Sequence, residues 1–185
     1  MTLEQKLDIL SVFGFCLADP FKPEDLLESW PRKAFEKPGF NLVLVGLGMT
    51  EERPPWRPHS SNVWHLDTEC IANHGDYVRI AEKMQALAQG SMPIQNVRDY
   101  VNVRESTAWL SFEFEGKTVT IDCKVQDDWV DVGIFAHFVE LLRASDPSKI
   151  FLYYDLGGQS CIVACSTREQ YEQAKRAGIS FEPLA

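Results

Sequence analysis

The sequence predicts an α+β fold: a mostly antiparallel sheet of hairpins with helices packed against it, and a helical segment at the N-terminus. Three observations lead there. Apolar residues recur at helical spacing in stretches bounded by capping residues. Alternating segments over 62–70 and 94–125 read as strands. Gly116-Lys117 and Gly157-Gly158 lie where tight turns would join consecutive strands antiparallel. Helices, strands, helix, three strands, helix, hairpin and helix in that order differ from the alternation of a parallel α/β sheet. With no repeat or linker, residues 1–185 read as one α+β domain, with 1–38 as its helical N-terminal segment.

Thr2-Leu3-Glu4-Gln5 has the capping-box pattern, and Leu3, Leu7, Leu10 and Phe13 continue it as a helix that Gly14 can close. Pro23 suits the first turn of a second helix carrying Leu26, Leu27 and Trp30, which Pro31 ends. The apolar run Asn41–Val45 is expected to be a strand buried on both faces. Gly46 to Ser61, with Pro54, Pro55 and Pro58, is expected to be a long irregular loop. Asp76 is the expected N-cap of a helix reaching Gln89. In the first hairpin, a Gly116-Lys117 turn places Phe114 opposite Val119, Phe112 opposite Ile121 and Leu110 opposite Cys123, an apolar face. Asp131 is the expected N-cap of a helix carrying Ile134, Phe135, Phe138, Leu141 and Leu142. The second hairpin is expected to pair Ile150 with Cys165, Leu152 with Val163 and Tyr154 with Cys161. Ser166-Thr167-Arg168-Glu169 opens the last helix as a second capping box, and 179–181 is a short edge strand.

Eighteen Lys and Arg against twenty-seven Asp and Glu give a net charge of −9. That balance argues against nucleic acid and anionic membrane surfaces as partners. The N-terminus does not read as a signal peptide. Five cysteines, odd in number and widely spaced without CxxC, fit a reducing, cytoplasmic setting. Cys123, Cys161 and Cys165 fall on apolar faces and read as core thiols, and Cys70 groups with Trp64 and Leu66.

His65, Asp67 and Glu69 share one face of an expected strand, and His74 follows. Imidazole and carboxylate are ligands for transition metals. Alternate strand residues are about 6.5–7 Å apart, so His65 and Glu69 cannot share an ion, whereas His65, Asp67 and a returning His74 can. Glu113 with Asp122-Cys123-Lys124, within the helix, three strands, helix and strand of 76–155, resembles the core of restriction-endonuclease-like nucleases. The resemblance implies a metal-dependent hydrolase whose acids hold the ion and whose Lys124 assists in activating water. Against it stands the lack of a basic groove. The stretches Trp64–Cys70 and Tyr154–Gln159 look like those of small bacterial proteins.

Neither a dinucleotide fingerprint nor a Walker loop is present. The remaining signal is surface. Trp56 lies in the proline-bearing loop, and Trp129 follows Asp127-Asp128 and precedes Asp131. Between Glu113 and Asp155 there are nine acids against four bases. Together these predict a non-enzymatic, cytoplasmic protein-binding or regulatory module without a cofactor. Trp56, Asp127, Asp128, Trp129 and Asp131 are its partner-binding residues, and a basic protein such as a toxin is the partner it would neutralise. The competing expectation is a divalent-metal hydrolase on His65, Asp67 and His74.

Overall fold

A computed structural model describes all 185 residues. The chain is α+β, with six helices and two antiparallel sheets. It divides into two compact units, Met1–Leu66 with Ser148–Pro183, and Asp67–Pro147 with Leu184–Ala185. No helix is long and apolar enough to cross a membrane.

In the first unit, helix α1 (Leu3–Val12) starts at Thr2, whose hydroxyl accepts the N–H of Gln5 while the Gln5 side chain accepts that of Thr2. Its inward face is not wholly apolar: Lys6 is only 3% exposed. The Lys6 ammonium donates to the carbonyls of Phe35 (2.7 Å), Gly39 (2.6 Å) and Lys37. The segment around Pro23 forms a 3-10 turn at Asp25–Glu28, and Pro31 opens the short helix α2 (Arg32–Phe35) instead of only ending what precedes it.

The expected strand at 41–45 is a helix, α3 (Asn41–Gly48). Val43, Leu44 and Leu47 fall at i, i+1 and i+4 and are buried, and the helix is apolar nearly all round, as buried helices are. Its glycines permit close approach: a Cβ on Gly46 would lie 3.3 Å from Leu26, and one on Gly48 only 2.3 Å from the backbone nitrogen of His65.

The sheet of this unit has the order β1 (Val63–Asp67), β6 (Ser160–Thr167), β5 (Lys149–Asp155) and β7 (Glu182–Pro183). The β5–β6 register is one residue away from the expected one: Phe151 faces Cys165, Leu152 faces Ala164 and Tyr154 faces Ile162. The connection spans residues 156–159 rather than a two-residue turn. Cys161 through Ser166 are all buried, so both faces of β6 are covered and alternation carried no register information. Helix α6 (Arg168–Arg176) has its capping box one residue later than expected, with Thr167 as N-cap and Gln170 as N3. Helices α1 and α3, β1, the β5–β6 hairpin and α6 enclose one core, in which Leu10, Phe15, Leu44 and Leu152 have no exposure.

In the second unit, helix α4 (Asp76–Leu87) precedes a sheet of order β2 (Gln95–Asn102), β3 (Thr107–Phe114) and β4 (Lys117–Cys123). The β3–β4 register differs from the expected one by two: Phe112 faces Val119, Leu110 faces Ile121 and Ala108 faces Cys123. Glu115 (φ 49°) and Gly116 (φ 73°) form the turn, both left-handed as a type I′ hairpin requires. An even shift keeps every side chain on its face, so the apolar row persists. Asp76 is not the N-cap of α4. Gly75 is, with φ 93°, and Asp76 follows inside the helix. Helix α5 (Ile134–Ser145) is likewise capped at Gly133 and not at Asp131, and buries Ile134, Phe135, Phe138 and Leu142.

Candidate functional site

The acidic loop after β4 lies in the second unit and is held by hydrogen bonds to a distant segment. The Trp129 N–H donates to the Gln126 carbonyl (3.1 Å), closing a turn in which Asp127 takes φ 54°. Val130 N–H donates to Thr68 and Ile71 N–H to Asp128, both at 2.8 Å, so 68–71 and 128–130 run antiparallel with Glu69 opposite Trp129. This ladder fixes the loop backbone. Glu69, Asp127 and Asp128 are exposed on it, and Trp129 keeps 38% of its surface open beside an exposed Val132.

Asp131 has a different task. Its carboxylate accepts the N–H groups of Gly133 (3.0 Å) and Lys124 (2.8 Å), and its own N–H donates to the Tyr77 hydroxyl (3.2 Å). With both oxygens engaged by backbone, it shapes the loop.

Trp56 belongs to the first unit. The stretch expected to be irregular is an arm in which Met49–Glu51 pairs with Arg57–His59: Glu51 N–H donates to Arg57 (2.9 Å) and His59 N–H to Met49 (2.8 Å). Trp56 stands at its tip, 58% exposed. The side of the arm walls a cavity of about 300 Å³, lined among others by Asp25, Glu28, Glu51, Glu52, Arg53 and His59. Arg57 holds the Glu51 carboxyl below the usual carboxylate range through a side-chain hydrogen bond (3.1 Å). No local pattern singles out His59. Its ring nitrogen Nδ1 donates to the carbonyl of Gly46 at 2.9 Å, capping the last turn of α3.

The residues proposed for a metal fall as follows. His65 is in β1 of the first unit, while Asp67 and His74 belong to the second. Asp67 accepts the N–H of Glu69 (3.0 Å). His74 Nδ1 accepts the N–H of Val101 (2.9 Å), and its ring lies against Tyr100 at 4.9 Å. No three His, Cys, Asp or Glu side chains gather as a ligand set. The observed register also separates the nuclease-like pair: Glu113 faces Thr118 and Asp122 faces Trp109, four positions along the ladder, about 13 Å. Lys124 lies just past the end of β4.

Three of the five thiols, Cys70, Cys123 and Cys161, are poor nucleophiles. Burial pushes Cys70 up to about 11, with the charges of Asp67 and Asp76 adding to it. Burial likewise pushes Cys161 to about 11 and Cys123 to about 12. At neutral pH they remain protonated. Cys16 alone is exposed.

Compared with known proteins, the chain matches no family model, no curated protein and no solved structure.

Proposed function

We propose that this protein is a non-catalytic, cytoplasmic binding module whose acidic loop recognises a basic protein and neutralises it, as an immunity protein does a toxin. The observation that carries this reading is the ladder between 68–71 and 128–130. It holds Asp127, Asp128 and Trp129 exposed on a fixed backbone. Exposed acids steer a basic partner, and a half-open indole is the kind of anchor that supplies binding energy once covered. A preformed loop also loses little conformational entropy on binding. The raised pKa values of Cys70, Cys123 and Cys161 give no support to chemistry at those thiols.

The test starts with affinity capture from the native host at moderate salt. The captured protein is then purified and its affinity measured against wild type, Asp127→Lys, Asp128→Lys and Trp129→Ala. A basic partner whose binding falls at least about tenfold in each variant supports the reading. Binding indifferent to all three overturns it. Elemental analysis with Mn²⁺ and Zn²⁺ titration runs beside it. Bound metal, or thermal stabilisation lost in His65→Ala and His74→Ala, favours the metal-dependent hydrolase instead.

A further inference from the structure

The three-stranded sheet of the second unit ends in a free edge at β4. The two-residue turn at Glu115-Gly116 makes Phe114 and Lys117 a hydrogen-bonded pair, and the pairing alternates from there. Val119, Ile121 and Cys123 therefore exchange backbone bonds with β3, while Thr118, Thr120 and Asp122 point theirs away from it. Lys124 is next in that series, and its N–H donates to the Asp131 carboxylate (2.8 Å) rather than to β3. No strand lies beyond β4, and no backbone hydrogen bond reaches Thr118, Thr120 or Asp122 from another segment. All three residues are exposed.

The other sheet edges are guarded. On β2 the Val101 N–H goes to His74 Nδ1 (2.9 Å), and the register slips between Gln95 and Arg98, where Asn96 takes φ 51°. In the first unit β7 is two residues long and ends in Pro183, and Gly48 of α3 packs on the backbone of β1 at His65. Along 118–122, β4 has no bulge, no proline and no covering segment. Its Thr118, Val119, Thr120 and Ile121 are all β-branched, as strands favour.

Such an edge accepts an added strand, whose main chain supplies the missing donors and acceptors. The surrounding charge selects the occupant. Over 113–131 six acids, Glu113, Glu115, Asp122, Asp127, Asp128 and Asp131, stand against Lys117 and Lys124. A second copy of the chain would set a net charge of −9 against −9. On the solvent face, the incoming residue opposite Asp122 lies beside its carboxylate, which favours Lys or Arg there. On the other face, Val119 is half-buried at the margin of the apolar row, which favours apolar residues beside it.

We infer that β4 takes up an extended segment of a basic protein as a further, antiparallel strand, with Lys or Arg alternating with apolar residues. Thr118, Thr120 and Asp122 exchange main-chain bonds with it, and Asp122 pairs with a basic side chain. The inference rests on the acidic-loop reading for the partner's charge, but the two fail separately: Thr118→Pro alters the edge and leaves Asp127, Asp128 and Trp129 in place.

The test titrates the full-length protein with the capped peptide acetyl-Lys-Val-Lys-Val-Lys-Val-amide while following backbone amides by NMR. Saturable shifts and slowed hydrogen exchange are expected at Thr118, Thr120 and Asp122. The same peptide methylated on its Lys backbone nitrogens keeps its charge but cannot donate to the edge, and should bind about tenfold more weakly. The capped Glu-Val counterpart should not bind. Thr118→Pro, which removes a free N–H from an edge position, should weaken binding about tenfold with the circular dichroism unchanged. Asp122→Lys, which leaves the backbone as it is, should weaken it several-fold. If Thr118→Pro loses the native spectrum, the methylated peptide and Asp122→Lys decide alone. No saturable shift at the edge amides, equal affinity of the two basic peptides, or self-association of the protein through the same amides overturns the assignment. So does a captured basic partner that depends on Asp127 and Trp129 yet binds Thr118→Pro as tightly as wild type, a result that leaves the acidic-loop reading standing.

Discussion

The carboxylate of Asp99, in β2, accepts the N–H of Tyr77, in the first turn of α4, at 2.9 Å. It also accepts those of Gly75 (2.7 Å) and Val78 (3.2 Å). These are the orphan donors of a helix start, and a strand residue more than twenty positions away satisfies them and places its charge at the positive end of the helix. Asp99→Ala should therefore cost about 2 kcal/mol in urea denaturation, and Asp99→Asn, which keeps one acceptor oxygen, about half of that. Equal stability of Asp99→Ala and wild type would show that water replaces the carboxylate at no cost.

Lys6 is the corresponding device in the first unit. Its ammonium ties three carbonyls of the 35–39 segment to α1. Lys6→Met preserves the apolar stem but strands those acceptors, and should cost about 2–4 kcal/mol, read from the denaturation midpoint at constant slope. A loss under about 0.5 kcal/mol would mean that the carbonyls find other donors.

The β3–β4 register makes Glu115 a turn residue in a left-handed conformation that suits asparagine far better. Glu115→Asn should raise stability by roughly 0.5–1 kcal/mol. Were Gly116-Lys117 the central pair, the same change would be neutral or harmful.

Burial raises the Asp76 carboxyl, but the N–H groups of Asn73 and Ala72 and the Arg79 guanidinium outweigh it, so the group lies below the usual carboxylate range. A carboxyl whose folded pKa is depressed adds stability above its unfolded value, near about 3.9, and loses it as pH falls through the folded one. Asp76→Asn should be less stable than wild type at pH 7, and the gap should narrow on acidification below about pH 4. A gap that stays constant across that range would remove the charged form of Asp76 from the account.

Much of the fold was legible where the signal is local. Thr2 and Gln5 announce α1 because a capping box needs only four residues. At α6 the adjacent Ser166 and Thr167 can both cap, and the sequence alone does not choose between them. The apolar face of β3–β4 was legible because side-chain direction depends only on parity, and for the same reason the pattern does not distinguish registers two residues apart. Helix α3 is not legible as a helix because a short apolar run has no polar positions to set its period; Gly46 and Gly48, needed for close packing, are the remaining clue. In the acidic loop the exposed Asp127, Asp128 and Trp129 followed from composition. Its pairing with Glu69 and Thr68 did not, since some sixty residues intervene. His59 stayed hidden for the same reason: its meaning depends on Gly46 and on a cavity assembled from three separate stretches.

Gly48 offers an experimental handle. A single methyl group there would collide with the backbone of Trp64 and His65, which cannot swing aside as a side-chain tip can. Gly48→Ala thus changes no charge, no exposed aromatic and no lining residue of the cavity, yet should loosen the seat of α3 against β1. It serves as a matched negative control: surface chemistry intact, architecture compromised. Binding that survives in it does not need the seat of α3 in the first unit, as expected of the acidic loop of the second, and binding that disappears depends on the folded first unit.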